Sequence, residues 1–211
     1  MTAAVIVQQR LRNTRLPCKG RLMLPNGRSV TEEVLHRCRN IPSADMVILA
    51  VPEGEADDLW QHEAMNTGAS FFRGPELDVL RRYRLAADHY GADVVLRVTS
   101  DCPLLNSMEC ERVLDKVLSG GYDFAANSGP DSFSLGWSCE AFTIDLLREA
   151  DDWASDSKDR EHVGPWPRRN ARRRADIIIP EAGSDLRPSL DTLADYLAVL
   201  RAFQHQMKEA A

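Results

Sequence analysis

Ala3-Ala4-Val5-Ile6-Val7-Gln8-Gln9-Arg10-Leu11-Arg12-Asn13-Thr14-Arg15-Leu16-Pro17-Cys18-Lys19 is the stretch that sets the architecture. Residues 3–7 are an unbroken apolar run, the pattern of a strand buried on both faces. The loop that follows carries Arg10, Arg12, Arg15 and Lys19, four cations within ten residues. A strand running into a polar loop calls for a helix next. Ser29-Val30-Thr31-Glu32 has capping-box spacing and predicts a helix to about residue 39.

The same alternation repeats outward from this unit. Apolar runs at 45–51, 69–72 and 93–98 read as strands, and helical periodicity covers about 56–66, 77–90 and 107–118. Strands and helices in this order predict an α/β fold, an open and mainly parallel sheet covered by helices. Ligands of such sheets bind beyond the carboxyl ends of the strands. The loop after the first strand and the tip of the fourth would therefore open on one edge. The second half is less regular. Strand, turn and strand are expected over 122–142 around Ser128-Gly129-Pro130, and a helix over 144–150. A polar stretch at 151–174, a strand at Ile177-Ile178-Ile179 and a terminal amphipathic helix over 192–207 complete the reading. At 211 residues the chain is read as a single domain, with an irregular excursion at about 128–174.

Composition narrows the partners. The chain is 44% hydrophobic and 27% charged, values of an ordinary soluble globular protein. A net charge of −6 argues against general nucleic-acid binding, which wants a basic face. It leaves room for a small anionic ligand, which needs only local cations. The five cysteines form no C-x-x-C pair, so neither a disulfide framework nor a zinc site is expected, and a reducing compartment fits. Cys38 and Cys110 fall in helical segments and read as small buried hydrophobes. No apolar run is long enough to span a bilayer, and Met1 leads into a strand without a basic region or cleavage site. The expected address is cytoplasmic, away from any membrane.

Three constellations could carry chemistry. Arginine forks and a lysine point charge in the first loop suit phosphate oxygens, with loop amides as further donors. By composition alone a solvated basic loop is the commoner explanation, and the G-x-x-x-x-G-K-[ST] spacing is absent. In Arg97-Val98-Thr99-Ser100-Asp101-Cys102-Pro103-Leu104-Leu105, a carboxylate at a strand tip is placed either to hold a hard cation or to act as a turn or helix cap. In Leu190-Asp191-Thr192, Asp191 ends one element and opens the last helix, so capping competes with metal binding there too.

Five ordered patterns then resemble one family. Gln8–Lys19, Arg73-Gly74-Pro75-Glu76-Leu77-Asp78-Val79-Leu80-Arg81-Arg82-Tyr83, Arg97–Leu105, Glu161-His162-Val163 and Leu190-Asp191-Thr192 look like Q-A-R-x-G-S-T-R-L-P-G-K, R-G-x-x-x-D-V-L-x-R-Y, R-x-T-x-D-C-P-L, E-H-V and V-D-T. These patterns belong to the acylneuraminate cytidylyltransferase family, the CMP-sugar synthetase group, and the likeness is greatest to its spore-coat polysaccharide biosynthesis branch. They keep their order over nearly the whole chain. The resemblance implies a three-layer Rossmann-like nucleotidyltransferase fold and transfer of a cytidylyl unit from CTP to a sugar acid or related sugar. Relatives commonly form homodimers, and Trp153, Trp166 and their surroundings would then face a second subunit.

Carried over by position, Arg15 and Lys19 would bind the triphosphate and neutralise charge at the α-phosphate, with Gln8, Arg10, Arg12 and Asn13 beside them. Asp101 would join them in catalysis, and Asp101 and Asp191 would hold Mg²⁺. Arg73, Gly74 and Asp78 would border the nucleotide. Glu140, in a G-x-x-x-E-x-F pattern from Gly136, would help shape the sugar site with Glu161 and His162. Arg12-Asn13 stands where the family has Gly-Ser, and Cys18 where it has glycine. Val51-Pro52 stands where hydroxyl residues often follow the second strand. Two rivals remain: a nucleotide-sugar binding homologue without turnover, and a glycosyltransferase of the related fold. The usual Asp-x-Asp motif of the latter is not supplied by Asp101-Cys102-Pro103.

Overall fold

The computed structural model describes residues 1–127, 138–178 and 189–209. Among these residues seven strands form one sheet: β1 (Ala3–Gln8), β2 (Met46–Pro52), β3 (Ser70–Gly74), β4 (Val94–Thr99), β5 (Phe124–Ala126), β6 (Glu140–Thr143) and β7 (Arg174–Asp176). Their order is β3-β2-β1-β4-β6-β5-β7. β1 to β4 are parallel, β6 runs antiparallel to both β4 and β5, and β7 is parallel to β5. The helices are α1 (Val30–Arg39), α2 (Trp60–Thr67), α3 (Val79–Tyr90), α4 (Ser107–Leu118), α5 (Ile144–Trp153), α6 (Ser157–His162), α7 (Pro165–Asn170) and α8 (Leu193–Glu209).

The apolar run of β1 is continuous because both its faces are covered. Ala3, Val5 and Val7 face one core with Val34 and Leu35 of α1, Trp60 of α2, and Val113 and Leu114 of α4. Ala4 and Ile6 point the other way, against Leu80, Tyr83 and Ala87 of α3 and Leu147 of α5. The result is the three-layer α/β fold predicted, helices on both sides of a mainly parallel sheet. A third cluster of Leu24, Leu104, Leu190, Val199 and Phe203 seats α8 beside the first loop and the tip of β4. That packing carries Asp191 to the sheet edge.

The first helix has its predicted cap: Ser29 Oγ accepts from Glu32 N–H at 3.1 Å and Glu32 accepts from Ser29 N–H at 2.8 Å. The segment expected as one helix over 56–66 is split into a tight turn at Glu55–Asp57 and α2 from Trp60. Asp57 explains the break, because its Oδ1 accepts from both Leu11 N–H (2.7 Å) and the Trp60 indole (3.0 Å). The polar stretch 151–174 holds the short helices α6 and α7. Its basic run is neutralised within the chain: Arg168 and Arg174 pair with Asp176, Arg169 with Asp159, Arg173 with Asp123 and Arg172 with Glu149.

Among the described residues the last strand lies earlier than the expected Ile177-Ile178-Ile179. β7 is Arg174–Asp176, after which Ile177 N–H donates to Ala126 O at 2.7 Å and its side chain enters the core. Ile178 is exposed, and Ile179 and the turn at 128–130 lie outside the described residues. Trp166 packs on the core of its own chain, whereas Trp153 is exposed. Cys38, Cys102, Cys110 and Cys139 are free and buried, and burial pushes the Cys38 and Cys102 thiols well above their ordinary range. Among the described residues no helix is long and apolar enough to cross a membrane.

Candidate active site

The first loop is shaped by its second glutamine. Gln9 is buried; its Nε2 donates to Thr31 Oγ1 at 2.6 Å and its Oε1 accepts from Arg10 N–H at 2.8 Å. Gly20 is required for this, since a Cβ there would lie 2.0 Å from Gln9 Nε2. The loop ends at Cys18, whose backbone is left-handed (φ 56°, ψ 23°), and turns directly into a tight 3₁₀ turn at Lys19–Arg21. Cysteine here adopts the conformation that glycine takes most easily. A left-handed residue costs about 1–2 kcal/mol, and glycine returns roughly 0.5–1 of that in chain entropy. Cys18→Gly should therefore raise stability by up to about 1 kcal/mol, or some 2–4 °C in Tm for a chain of this size. A Tm that falls would show that the cysteine is unstrained.

The turn at Cys18 sends Lys19 inward, leaving it 8% exposed. Its ammonium meets three oxygens from two distant elements: Asp101 Oδ2 at 2.7 Å, Asp191 Oδ1 at 3.1 Å and the Leu190 carbonyl at 2.6 Å. Arg15 donates to the same Asp191 Oδ1 at 2.8 Å. The two aspartates are free to face this point because other residues do the capping. Asn106 caps α4, accepting from Met108 and Glu109 N–H. Thr192 and Asp195 close the start of α8 reciprocally: Asp195 Oδ2 accepts from Thr192 N–H and Thr192 Oγ1 from Asp195 N–H. Leu190 N–H donates to Asp101 O at 2.8 Å, which stitches the two aspartate segments together.

Burial works to raise the Asp101 carboxyl, but the Lys19 charge and hydrogen bond, with help from Thr99 and Cys102, outweigh it and leave the group below its ordinary value. Asp101 is thus held as a carboxylate. Two carboxylates on one cavity wall suit Mg²⁺, which takes one or two protein carboxylates and completes its shell with substrate phosphates and water. Among the described residues no cluster of three or more His, Cys, Asp or Glu side chains is placed to hold a metal alone.

These groups line a cavity of about 270 Å³ at the carboxyl ends of β1 and β4. Gln8, Arg10, Asn13, Arg15 and Lys19 form one wall with Asp101 and Asp191, and Glu161 and His162 stand at the rim from the end of α6. Other residues read from the patterns are elsewhere. Arg12 is exposed and only reaches Glu76 at 3.9 Å. Arg73 pairs with Asp58 at 2.7 Å and stacks over Phe71. Asp78 caps α3, accepting from Arg81 N–H, and its carboxylate is held by Arg160. None of these three lines the cavity.

Glu140 stands behind the wall as the cross-strand partner of Arg97, with Oε2 3.0 Å from Arg97 Nη1. Gly136 and Trp137 of its pattern lie outside the described residues. Gly164 packs on Glu140 so closely that a Cβ would sit 2.0 Å from Oε2. The chain reaches Gly164 through Val163, a buried residue at φ 65°, ψ −60°. There Gly164 N–H donates to His162 O at 2.7 Å, a γ-turn of the strained hand. Arg82 and Arg97 also line the cavity and were not singled out as site residues from the sequence. Both had a signal in the sequence: Arg82 is the arginine of D-V-L-x-R-Y, set among the buried positions of α3, and Arg97 opens R-x-T-x-D-C-P-L.

Known proteins share the sequence and the fold of this chain. The Cytidylyltransferase family profile matches residues 4–200. The chain is 27% identical over 214 residues to the spore coat polysaccharide biosynthesis protein SpsF of Bacillus subtilis, covering 94% of this chain and 85% of that one. A solved cytidylyltransferase from Leptospira borgpetersenii superposes with a TM-score of 0.89 at 28% identity, over 97% of this chain and 87% of the other. A CMP:2-keto-3-deoxy-manno-octonic acid synthetase solved with CTP shares the fold, with a TM-score of 0.72 at 15% identity, over 98% and 100% of the two chains. With its family profile spanning nearly the full length and its cations and carboxylates gathered at one sheet edge, the chain belongs to the cytidylyltransferase family.

Proposed function

We propose that this protein transfers a cytidylyl group from CTP to a sugar acid or related sugar, releasing pyrophosphate, in the synthesis of a surface polysaccharide or glycoconjugate. The observation that carries the reading is the convergence of Lys19 and Arg15 on Asp101 and Asp191 in the lining of a polar cavity. The names of two similar proteins, a spore coat polysaccharide biosynthesis protein and an octonic acid synthetase bound to CTP, support the choice of sugar and nucleotide.

In this reading an acceptor hydroxyl, giving up its proton to solvent, attacks the α-phosphorus in line, the bond to the bridging oxygen breaks, and pyrophosphate leaves with its electron pair. Lys19 and Arg15 neutralise the charge that grows on the phosphate oxygens, and Arg10 and Asn13 orient the triphosphate. Asp101 and Asp191 are the residues that would hold Mg²⁺, which when bound supplies Lewis acidity and charge neutralisation at the phosphates. Glu161 and His162, which also line the cavity, would contact the acceptor.

The direct test is pyrophosphate release from each of the four nucleoside triphosphates, offered with a panel of nonulosonic acids and sugar phosphates. CTP with one acceptor class should be turned over. Preference for another triphosphate would refute the base assignment. CTP binding by calorimetry without turnover of any acceptor would make the protein a binding homologue.

A further inference from the structure

Arg82 is an arginine of the cavity that is buried without an ion-pair partner among the described residues. It leaves α3 one turn after the Asp78 cap and is 2% exposed. Its Nε and Nη1 are buried without a hydrogen-bond partner. Two more atoms of the same cavity share that condition: Arg97 Nε, a donor, and Gln8 Oε1, an acceptor. Arg97 at least has Glu140 on its Nη1, whereas among the described residues no carboxylate lies within ion-pairing distance of Arg82. Burial lowers the Arg82 guanidinium from its ordinary value, and the distant fields of Tyr83, Asp57 and Glu76 do not restore it.

The backbone is arranged to bring this side chain in. A Cβ on Gly74 would lie 2.9 Å from Arg82 Cγ and 3.3 Å from its Cβ, so the glycine at the end of β3 leaves room for the arginine stem. A buried charge without a counter-charge is strongly destabilising, and proteins do not keep one without a compensating partner. Unpaired donors of two guanidinium groups in the lining of one cavity, with an unpaired acceptor on a third lining residue, describe a receptor for an anionic oxygen group that also carries a hydroxyl or amine hydrogen.

We propose that Arg82 is a binding residue for an oxyanion of the substrate, a phosphate or a carboxylate, and that the ligand supplies the counter-charge missing from the protein. Arg97 Nε donates to the same group, and Gln8 Oε1 accepts a hydrogen from a neighbouring position. This extends the nucleotide-transfer reading and stands apart from the Lys19 cluster, whose cations are already paired.

The test is thermal unfolding of the wild-type protein and of Arg82→Met and Arg82→Lys, without ligand and with inorganic pyrophosphate, CTP, or millimolar carboxylated sugars and sugar phosphates. Without ligand Arg82→Met should melt no lower than wild type, and up to about 2–4 °C higher, because it removes an unpaired buried charge. With the probe that supplies the oxyanion, the variant should bind about 10–100-fold more weakly, as for loss of a charged hydrogen bond. Loss of the pyrophosphate or CTP effect assigns the group to the triphosphate; loss confined to a sugar acid or sugar phosphate assigns it to the acceptor. Arg82→Lys should keep part of the affinity but not the two-point geometry. A ligand-free Arg82→Met that melts clearly lower, or wild-type stabilisation by every probe in the variant, overturns the proposal. A wild-type protein stabilised by pyrophosphate but not by CTP removes the nucleotide reading alone, and the pyrophosphate arm still decides Arg82.

Discussion

Lys19→Ala should lower pyrophosphate release by about 10²–10³-fold, the loss expected when one preorganised charge is removed from a transition state that gathers negative charge. The ammonium has contacts with Asp101, Asp191 and the Leu190 carbonyl, so its removal disarranges the site as well as weakening it. Two carboxylates that shared a cation are then left facing each other. Asp101→Asn in the Lys19→Ala background should consequently cost little more than either change alone, since groups that act as a unit are not additive. Losses that multiply would mean that the two residues serve separate steps.

The same variant has a pH signature. Asp101 lies below its ordinary value of about 3.9 in the folded protein. Its stabilising contribution is therefore complete above that value and is lost as the pH falls through the lower, folded one. Lys19→Ala removes the charge that holds the carboxyl down and leaves burial to push it up. Acid unfolding should then begin at higher pH than in the wild type, as melting between about pH 3 and 7 would reveal. Identical acid limbs would rule out Lys19 as the cause of the Asp101 shift.

How much of this was legible in the sequence depended on whether the deciding interaction was local. β1 and β2 were readable because each is buried on both faces and writes an almost unbroken apolar run, and β4 keeps that pattern around Arg97, whereas β3 at the sheet edge showed only Phe71-Phe72. α1 was readable from a cap closed within four residues. β7 was not, because Arg174-Ala175-Asp176 is an edge strand with a polar exterior, and the apolar isoleucines after it drew the reading forward. α6 and α7, six residues each, are too short to establish a helical period and are held by ion pairs such as Arg169–Asp159.

The site divides in the same way. The cluster of cations after β1 is a local feature, and so is a carboxylate at the tip of β4. Whether Asp78 or Asp191 caps a helix or faces the cavity is settled by residues elsewhere. Arg160, 82 positions away, takes the Asp78 carboxylate, while Asp195 caps α8 with Thr192 and leaves Asp191 to Lys19. Arg82 was legible as the arginine of D-V-L-x-R-Y, but its burial without a partner is settled by residues elsewhere.

Gly164→Ala should be strongly damaging for a single added methyl group. The added carbon would fall 2.0 Å from Glu140 Oε2, 2.3 Å from Oε1 and 2.4 Å from Cδ, so the carboxylate itself must move. Glu140 has little room, being 8% exposed and paired to Arg97 across β6 and β4. The backbone has little more, because Gly164 is fixed to His162 by the strained turn at Val163. If Glu140 moves, Arg97 loses its counter-charge in a buried position, at a cost of about 3–5 kcal/mol, or roughly 10 °C in Tm for a chain of this length. If the turn moves instead, Glu161 and His162 leave the cavity rim, and the acceptor KM should rise more than that for CTP. The discriminating measurement is the same change in a Glu140→Ala background, where the obstructing carboxylate is gone. There the added methyl should cost almost nothing beyond Glu140→Ala itself. Equal damage in both backgrounds would place the fault in the Val163 turn and leave the Glu140–Arg97 pair without a role in holding the rim.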